Sequence, residues 1–592
     1  MTTGKSSSFA LTRNSEKLIN VALGKEKADL AIVNARLVNV FTKEILDNSS
    51  VSIKGKWIAA VGSDLKYSIG AKTEVVDAGG KTIIPGLIDG HTHLAWLYTA
   101  YEFLKYAMKG GTTTIITETM EPFPVSGYDG VVDFLESLKD QPIKIFSTAP
   151  FMASISDAAR GISTEILKKL LSRDDIIGLG ESYWQSVLQQ PDLSLPILRE
   201  TLLSGKSLEG HSAGAGINKL NAYIATGISS CHEPIKTDEV LERLRLGLYV
   251  MIREGSIRRD LEEISKIKDS DIDLRRLVLV SDGVEPDDLL KKGYMEFIVQ
   301  KAIDCGFDPI TAIQMATLNV AEHFSLDGII GGIAPGRYAD LLIIPDERTI
   351  KAQYVISNGQ VIAQNGNLLK QPRKHAFAKQ SMTSVHLTRK LNASDFAVRI
   401  EKAVDKVEAR IINMVTDLVT SELNMMLPVV NGEIIQDISI DIIKIAAVDR
   451  THNPGKAFTG LIKGFCLNKG AFACSASWDT TDIIVIGAND VDMALAVNRI
   501  FDLQGGAVVC VNGKIEAELS MPVFGILSDL PMEQIAERTK NIKNKLSELG
   551  VPLPDPLLSL IALTGAAIPF LRICEEGLVN LKNGKTVGII PG

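Results

Sequence analysis

Two histidines spaced i, i+2, His91 and His93, close the apolar run Pro85-Gly-Leu-Ile-Asp-Gly-His-Thr-His-Leu94. Alternate side chains of a strand share a face, so both imidazoles can reach one metal ion. An HxH pair alone is a weak signal, and the β-like run with its Pro-Gly entry strengthens it. Four further runs end in a metal-binding residue type: Gly178-Leu-Gly-Glu181, Leu208-Glu-Gly-His211, Ser229-Ser-Cys-His232 and Val278-Leu-Val-Ser-Asp282. Taken singly, each could be a helix cap or a solvated loop residue. Together they spell His-x-His, Glu, His, His, Asp, which suits a pair of divalent ions sharing a hydroxide. His91, His93 and Asp282 would hold one ion, His211 and His232 the other, and Glu181 would bridge both. Two cations bring the pKa of a shared water from about 16 towards 7. Asp282 is then placed to take the proton and pass it to a leaving group. Hydrolysis of a C–N bond is the reaction class this pattern suggests.

Such ligands need a scaffold that gathers strand ends. Between about residues 80 and 335, apolar runs such as Thr112–Thr117, Ile143–Phe146 and Arg276–Ser281 alternate with helical patterns, the size and rhythm of a (β/α)8 barrel. A doubly wound sheet has a similar rhythm, and the ligand order favours the barrel, whose chemistry sits at strand C-terminal ends. Short strand-like runs over 29–79 and again over 336–368, with the hairpin signal Asn358-Gly359, predict a small β-sandwich built from both flanks of the barrel. Residues 1–28 read as a polar extension and 369–385 as a linker, followed by a C-terminal α+β domain over 386–592. Within that domain, 396–421 has a helical period, 438–511 carries strand-like runs, 493–501 and 532–549 read as helices, and 557–573 reads as a buried helix pair.

The chain has 592 residues, 45% of them hydrophobic and 23% charged, so it can bury several cores. A formal net charge of −8 argues against a nucleic-acid binder, because no basic stripe is available for phosphates. The six cysteines include no C-x-x-C pair, which fits a cytoplasmic protein without a disulfide framework. No signal peptide is visible over residues 1–23, and the apolar stretch near the C-terminus is broken by Gly565 and Pro569, so no membrane span is expected. The zinc deaminases of the cytidine type are excluded by the missing P-C-x-x-C. A small-molecule substrate is the expected partner.

PGLIDGHTHL, the strand-end ligands and the returning segment Ile333-Ala-Pro-Gly-Arg-Tyr-Ala-Asp-Leu-Leu-Ile-Ile344 resemble the amidohydrolase superfamily. Gly210–Tyr223, Cys231-His-Glu233, Met251–Ser256, Met315–Asn319, Asn489–Asn498 and Gly505–Val509 resemble adenine deaminases, from about residue 28 to the end. The resemblance implies hydrolytic deamination of adenine to hypoxanthine and ammonia, a step of purine salvage. It also implies two manganese or iron ions per chain, with zinc compatible with the same ligands, and a homodimer. Glu233, beside His232, becomes a candidate proton shuttle. Arg253, Glu254 and Ser256 become candidates for substrate contact.

The chain departs from the family pattern around the substrate. Where members read HVHIESS, this chain has His91-Thr-His-Leu-Ala-Trp-Leu97; DPHE appears as Glu118-Thr-Met-Glu121, DDRH as Asp282-Gly-Val-Glu285, and HDSHN as Trp478-Asp-Thr-Thr-Asp482. The metal ligands stay while several auxiliary histidines are replaced. This predicts a pocket made more apolar by Trp96 and Met120, with Glu121 at its edge, and raises a substituted purine or another amino-heterocycle as an alternative substrate. A cyclic amidase on the same barrel is a rival reading, disfavoured because Glu181 stands where such enzymes bridge with a carboxylated lysine. A catalytically silent scaffold is another, disfavoured because all six ligands are present. His323, His375, His386 and His452 are expected to be structural or at the surface.

Overall fold

The computed structural model describes residues 14–151, 153–401 and 404–591. Eight parallel strands form the barrel: Leu87–Thr92, Thr112–Thr117, Lys144–Ala149, Ile176–Tyr183, Ser207–His211, Ser230–Cys231, Tyr249–Arg253 and Leu277–Val280. They hydrogen-bond as a five-stranded and a three-stranded arc. Single backbone bonds close the ring, from Ser229 N–H to the Leu208 carbonyl (3.0 Å) and from Asp282 N–H to the His91 carbonyl (3.0 Å). Helices on the outside cover the strands, so runs such as Thr112–Thr117 and Leu277–Val280 are buried at every position, as parallel sheets require.

Strands from both flanks of the barrel join in one nine-stranded sheet with its own core. Thr82–Pro85 is the seam: it pairs parallel to Leu30–Asn39 and antiparallel to Leu341–Ile344. Its residues fall inside the segment expected to begin the barrel at 80, so the change from flank sheet to barrel lies between Pro85 and Leu87 instead. Asn358 and Gly359, both at positive φ (50° and 72°), make the hairpin that their dipeptide signalled. Residues 1–13 of the expected polar extension lie outside the described residues. Residues 14–22 are helical and bury Leu18 and Val21 against Trp57, so that part is packed rather than a free lead-in.

The 369–385 segment is a strap rather than a loose linker. Arg373 Nε donates to the Lys139 carbonyl (2.9 Å), His375 meets Asp133 (2.8 Å), and Lys379–Met382 is a short helix. The C-terminal domain is a nine-stranded sheet flanked by helices Asp490–Leu503 and Met532–Glu548. The helical reading of 396–421 is wrong: strands Lys406–Met414 and Thr420–Val430 pair antiparallel there. Cross-strand partners overrode a short apolar period, and β-branched residues such as Ile411 and Ile412 suit the pleat. The helix pair expected over 557–573 is one helix, Pro556–Ala562, and a strand, Leu571–Cys574, because Gly565 and Pro569 interrupt any second helix. Strand Leu527–Ser528 pairs with Leu97–Tyr98 just beyond the HxH histidines, docking this domain on the barrel mouth. Among the described residues, no helix is long and apolar enough to cross a membrane.

Candidate active site

All six expected ligands converge at the C-terminal ends of the barrel strands, buried to 8% exposure or less. Ligand atoms of His91, His93, Glu181 and Asp282 lie within 4.8 Å of one another, and so do those of Glu181, His211 and His232. Glu181 faces both groups: Oε1 is 3.0 Å from His93 Nε2 and 3.4 Å from His91 Nε2, while Oε2 is 2.9 Å from His211 Nδ1. His91 Nε2 also lies 3.3 Å from Asp282 Oδ1, yet it is buried without a hydrogen bond that meets normal geometry, as is His211 Nε2. A buried imidazole nitrogen such as His91 Nε2, facing the Glu181 and Asp282 carboxylates without a hydrogen bond, is what a divalent cation between them would satisfy. The donor set therefore fits two ions, one per group, with Glu181 common to both.

The sequence places each ligand by strand period and by two local devices. His93 is one residue past Leu87–Thr92 and still shares the face of His91, their rings 5.4 Å apart and perpendicular. Asp282 turns its carboxylate inward from the left-handed region, at φ 62°, a conformation that Asp tolerates better than most residues. The loop after Arg253 packs so closely on this turn that a Cβ on Gly255 would lie 1.9 Å from the Ser281 carbonyl oxygen. Beneath the histidines, Asp89 ties the first and last strands together. It accepts from Ser281 Oγ (2.5 Å), His91 N–H (3.1 Å) and the Tyr294 hydroxyl.

A shell of charge orients the ligands. Glu121 Oε1 meets His93 Nδ1 at 2.5 Å, and Glu118 Oε1 lies 3.6 Å from His91 Nδ1 while its Oε2 accepts from Thr148 (2.8 Å). Carboxylates behind metal-ligating histidines set tautomer and basicity. Arg253 is buried between Glu233, Asp260 (3.2 Å) and Asp282 (3.4 Å). Burial resists ionisation of Glu233 and Asp282, but Arg253 at Glu233, and His91, His93 and Arg253 at Asp282, hold both carboxyls well below the usual range. Glu233 Oε1 is 3.2 Å from His232 Nε2 and 3.6 Å from His211 Nδ1, so the chain does turn after the strand and bring it inward. Burial, only partly offset by His91, pushes Glu118 up to about 7.

Above the ligands lies a cavity of about 350 Å³. Its floor is the cluster of candidate ligands, and its walls are largely apolar: Met120, Ile235 and Ile257 from the barrel, Leu418, Trp478 and Ile568 from the C-terminal domain. Of the residues expected to touch substrate, Met120 and Arg253 line it. Four do not. Glu121 is behind His93; Glu254 is engaged by Lys301 (2.7 Å); Ser256 Oγ donates to Asp288 (2.8 Å); Trp96 packs edge-on against Trp478 with ring centroids 5.7 Å apart. After Arg253 the loop carries Glu254 and Ser256 away from the cavity before Ile257 and Arg258 return to its wall.

The sequence reading missed the roof. Trp478 and Asp479 stood in the altered WDTTD segment but had no assigned role. The turn at Thr416–Val419 had no local signal at all, lying in the stretch read as helix. Asp479 Oδ2 accepts from Ala566 N–H (2.7 Å), its carbonyl accepts from Ser154 Oγ, and its Oδ1 is 3.4 Å from the hydroxyl of Tyr183, which lines the cavity. Burial pushes Asp479 up to about 7.

A parallel barrel with HxH on its first strand, a shared glutamate on its fourth and an aspartate after its eighth defines a metal-dependent hydrolase of the amidohydrolase class. Accordingly, residues 82–362 match the model of the Amidohydrolase family. Residues 417–585 match the Adenine deaminase C-terminal domain. An adenine deaminase of Clostridium botulinum (strain Loch Maree / Type A3) is 35% identical over 584 residues, covering 97% of each chain. Those of Moorella thermoacetica and Cenarchaeum symbiosum are 36% and 32% identical over 98% of this chain and 99% and 96% of theirs. The chain belongs to the adenine deaminase family. Among solved structures, an enamidase of the amidohydrolase superfamily aligns with TM-score 0.45 at 19% identity, over 59% of this chain and 99% of that one.

Proposed function

We propose that the chain hydrolyses the exocyclic C–N bond of a 6-aminopurine, with adenine giving hypoxanthine and ammonia. The observation that carries this reading is the position of Glu181, which belongs to both ligand groups: Oε1 faces His91, His93 and His232 (3.8 Å), and Oε2 faces His211, within one buried cluster. His91, His93 and Asp282 would hold one ion, His211 and His232 the other, and Glu181 both, with manganese or iron as the metals. Such a pair supplies a water acidic enough to ionise at neutral pH, together with Lewis acidity towards the ring.

The chain's own residues do the rest. Asp282 Oδ2 is turned to Arg253, which leaves Oδ1 facing the ligand cluster, where it can accept the water's proton and return it to the departing nitrogen. Arg253 fixes Asp282 and Glu233 in one rigid array. Glu233, set beside His211 and His232, is the acceptor and donor for a ring nitrogen of the substrate. The apolar roof excludes bulk water, which strengthens every electrostatic contact beneath it. A homodimer in the cytoplasm belongs to the same reading.

The test is ammonia release from adenine by manganese-reconstituted protein, with Asp282→Asn alongside. Hypoxanthine and ammonia in equal amounts from the wild type, and loss of both in the variant, are expected. Two bound metals with no turnover of any 6-aminopurine would sink the reading.

A further inference from the structure

The apolar part of the cavity begins beside the reacting centre, not only at its mouth. Met120 lies between Glu118 and Glu121, the two carboxylates that back His91 and His93, and its side chain lines the cavity with His93. Trp478 is held rigidly: its backbone N–H donates to Thr564 Oγ1 (3.2 Å), its ring packs on Trp96, and Asp479 is pinned by the backbone N–H of Ala566. A Cβ on Gly565 would come within 3.3 Å of the indole. Leu418, Val419 and Ile568 continue this surface outward.

An unsubstituted exocyclic amine carries two N–H donors. Against a thioether and an indole face, one of them would be stripped of water without gaining a partner, which a buried polar group tolerates poorly. Replacing that hydrogen with an alkyl group removes the unpaired donor and fills apolar space that a methionine side chain adapts to readily. Ring nitrogens still have polar neighbours in Glu233 and Tyr183 at the cavity floor.

Resting on the deaminase reading above, we propose that the preferred substrate is a purine bearing a small alkylamino group at C6, with Met120 and Trp478 receiving the alkyl group. Water's oxygen bonds to C6 and the C6–N bond breaks. One proton of the water leaves on the nitrogen as a primary amine, and the other stays on the 6-oxopurine as hypoxanthine. No redox change occurs, and the balance matches adenine deamination with an alkylamine in place of ammonia.

The experiment compares kcat/KM for adenine, N6-methyladenine and N6-isopropyladenine with the manganese-loaded wild type, following hypoxanthine. One alkyl substrate is expected to exceed adenine by about tenfold or more, the range a methyl group commands in an apolar pocket. A Met120→His/Trp478→His double variant should reverse the order. As a readout independent of turnover, N6-methyladenine should quench the tryptophan fluorescence of metal-free protein at lower concentration than adenine, with the difference lost in Trp478→Phe. Adenine preferred over both alkylpurines by the wild type overturns this proposal while leaving the deaminase reading in place. Hypoxanthine from none of the three, with metals bound, overturns both.

Discussion

The floor and the roof of the cavity are built in opposite ways. The floor comes from strand ends of one barrel, where backbone hydrogen bonds and covered faces fix each Cβ direction, and its side chains are polar or charged and buried. The roof comes from turns of a second domain, Thr416–Val419, Trp478 and Ala567–Pro569, and its side chains are mainly apolar. The difference separates two duties. Chemistry needs ligand atoms held to fractions of an ångström, which strands provide; selection needs a surface that can be altered without disturbing them, which loops provide.

Asp282→Asn strikes the floor hardest. It keeps the shape but removes the proton acceptor, and kcat/KM should fall by about 10²–10⁴-fold, with metal content by elemental analysis falling far less than activity. An equal loss of metal and activity would make Asp282 a ligand only. Next, Glu121→Gln leaves every ligand in place and weakens the partner of His93, so metal affinity should drop by about 10–100-fold in a chelator competition. Unchanged affinity would return Glu121 to the substrate side. In the roof, Trp478→Ala should raise KM by about tenfold, the order expected for truncating a buried aromatic anchor, with metal content untouched; metal loss there would collapse the distinction between the two regions.

The smallest effect expected is on stability, through Asp479. Its folded pKa of about 7 lies above the ordinary value of 3.8, so between these the folded state binds the extra proton. Its contribution is greatest at low pH and is lost as pH rises through about 7. Wild-type protein should therefore lose more thermal stability between pH 5 and pH 8 than Asp479→Asn, by a few degrees in Tm. Parallel pH profiles for the two proteins would show that Asp479 is paired in a way that the cavity geometry does not reveal.

How far the sequence could be read follows from the range of the forces involved. His91 and His93 were legible because a strand's period of two is a local rule, and the other ligands because each ends an apolar run. The hairpin at Asn358-Gly359 was legible because positive φ is a property of those two residues. Where neighbours at long range decide, the reading failed. Residues 396–421 became strands through pairing between Lys406–Met414 and Thr420–Val430, and Glu254 and Ser256 turned away from the cavity because they found Lys301 and Asp288.

By itself, then, the sequence determined the barrel, the order of its ligands and the class of reaction, since periodicity and residue chemistry act over a few positions. Tertiary structure alone decided that Glu118 and Glu121 stand behind the histidines and that Arg253 aligns Asp282 with Glu233. It alone decided that Trp478, nearly four hundred residues beyond His93, closes the cavity. No local preference encodes these contacts. The first two form only when the barrel closes and brings distant strand ends together, the last only once the C-terminal domain has buried its own apolar face against the barrel mouth.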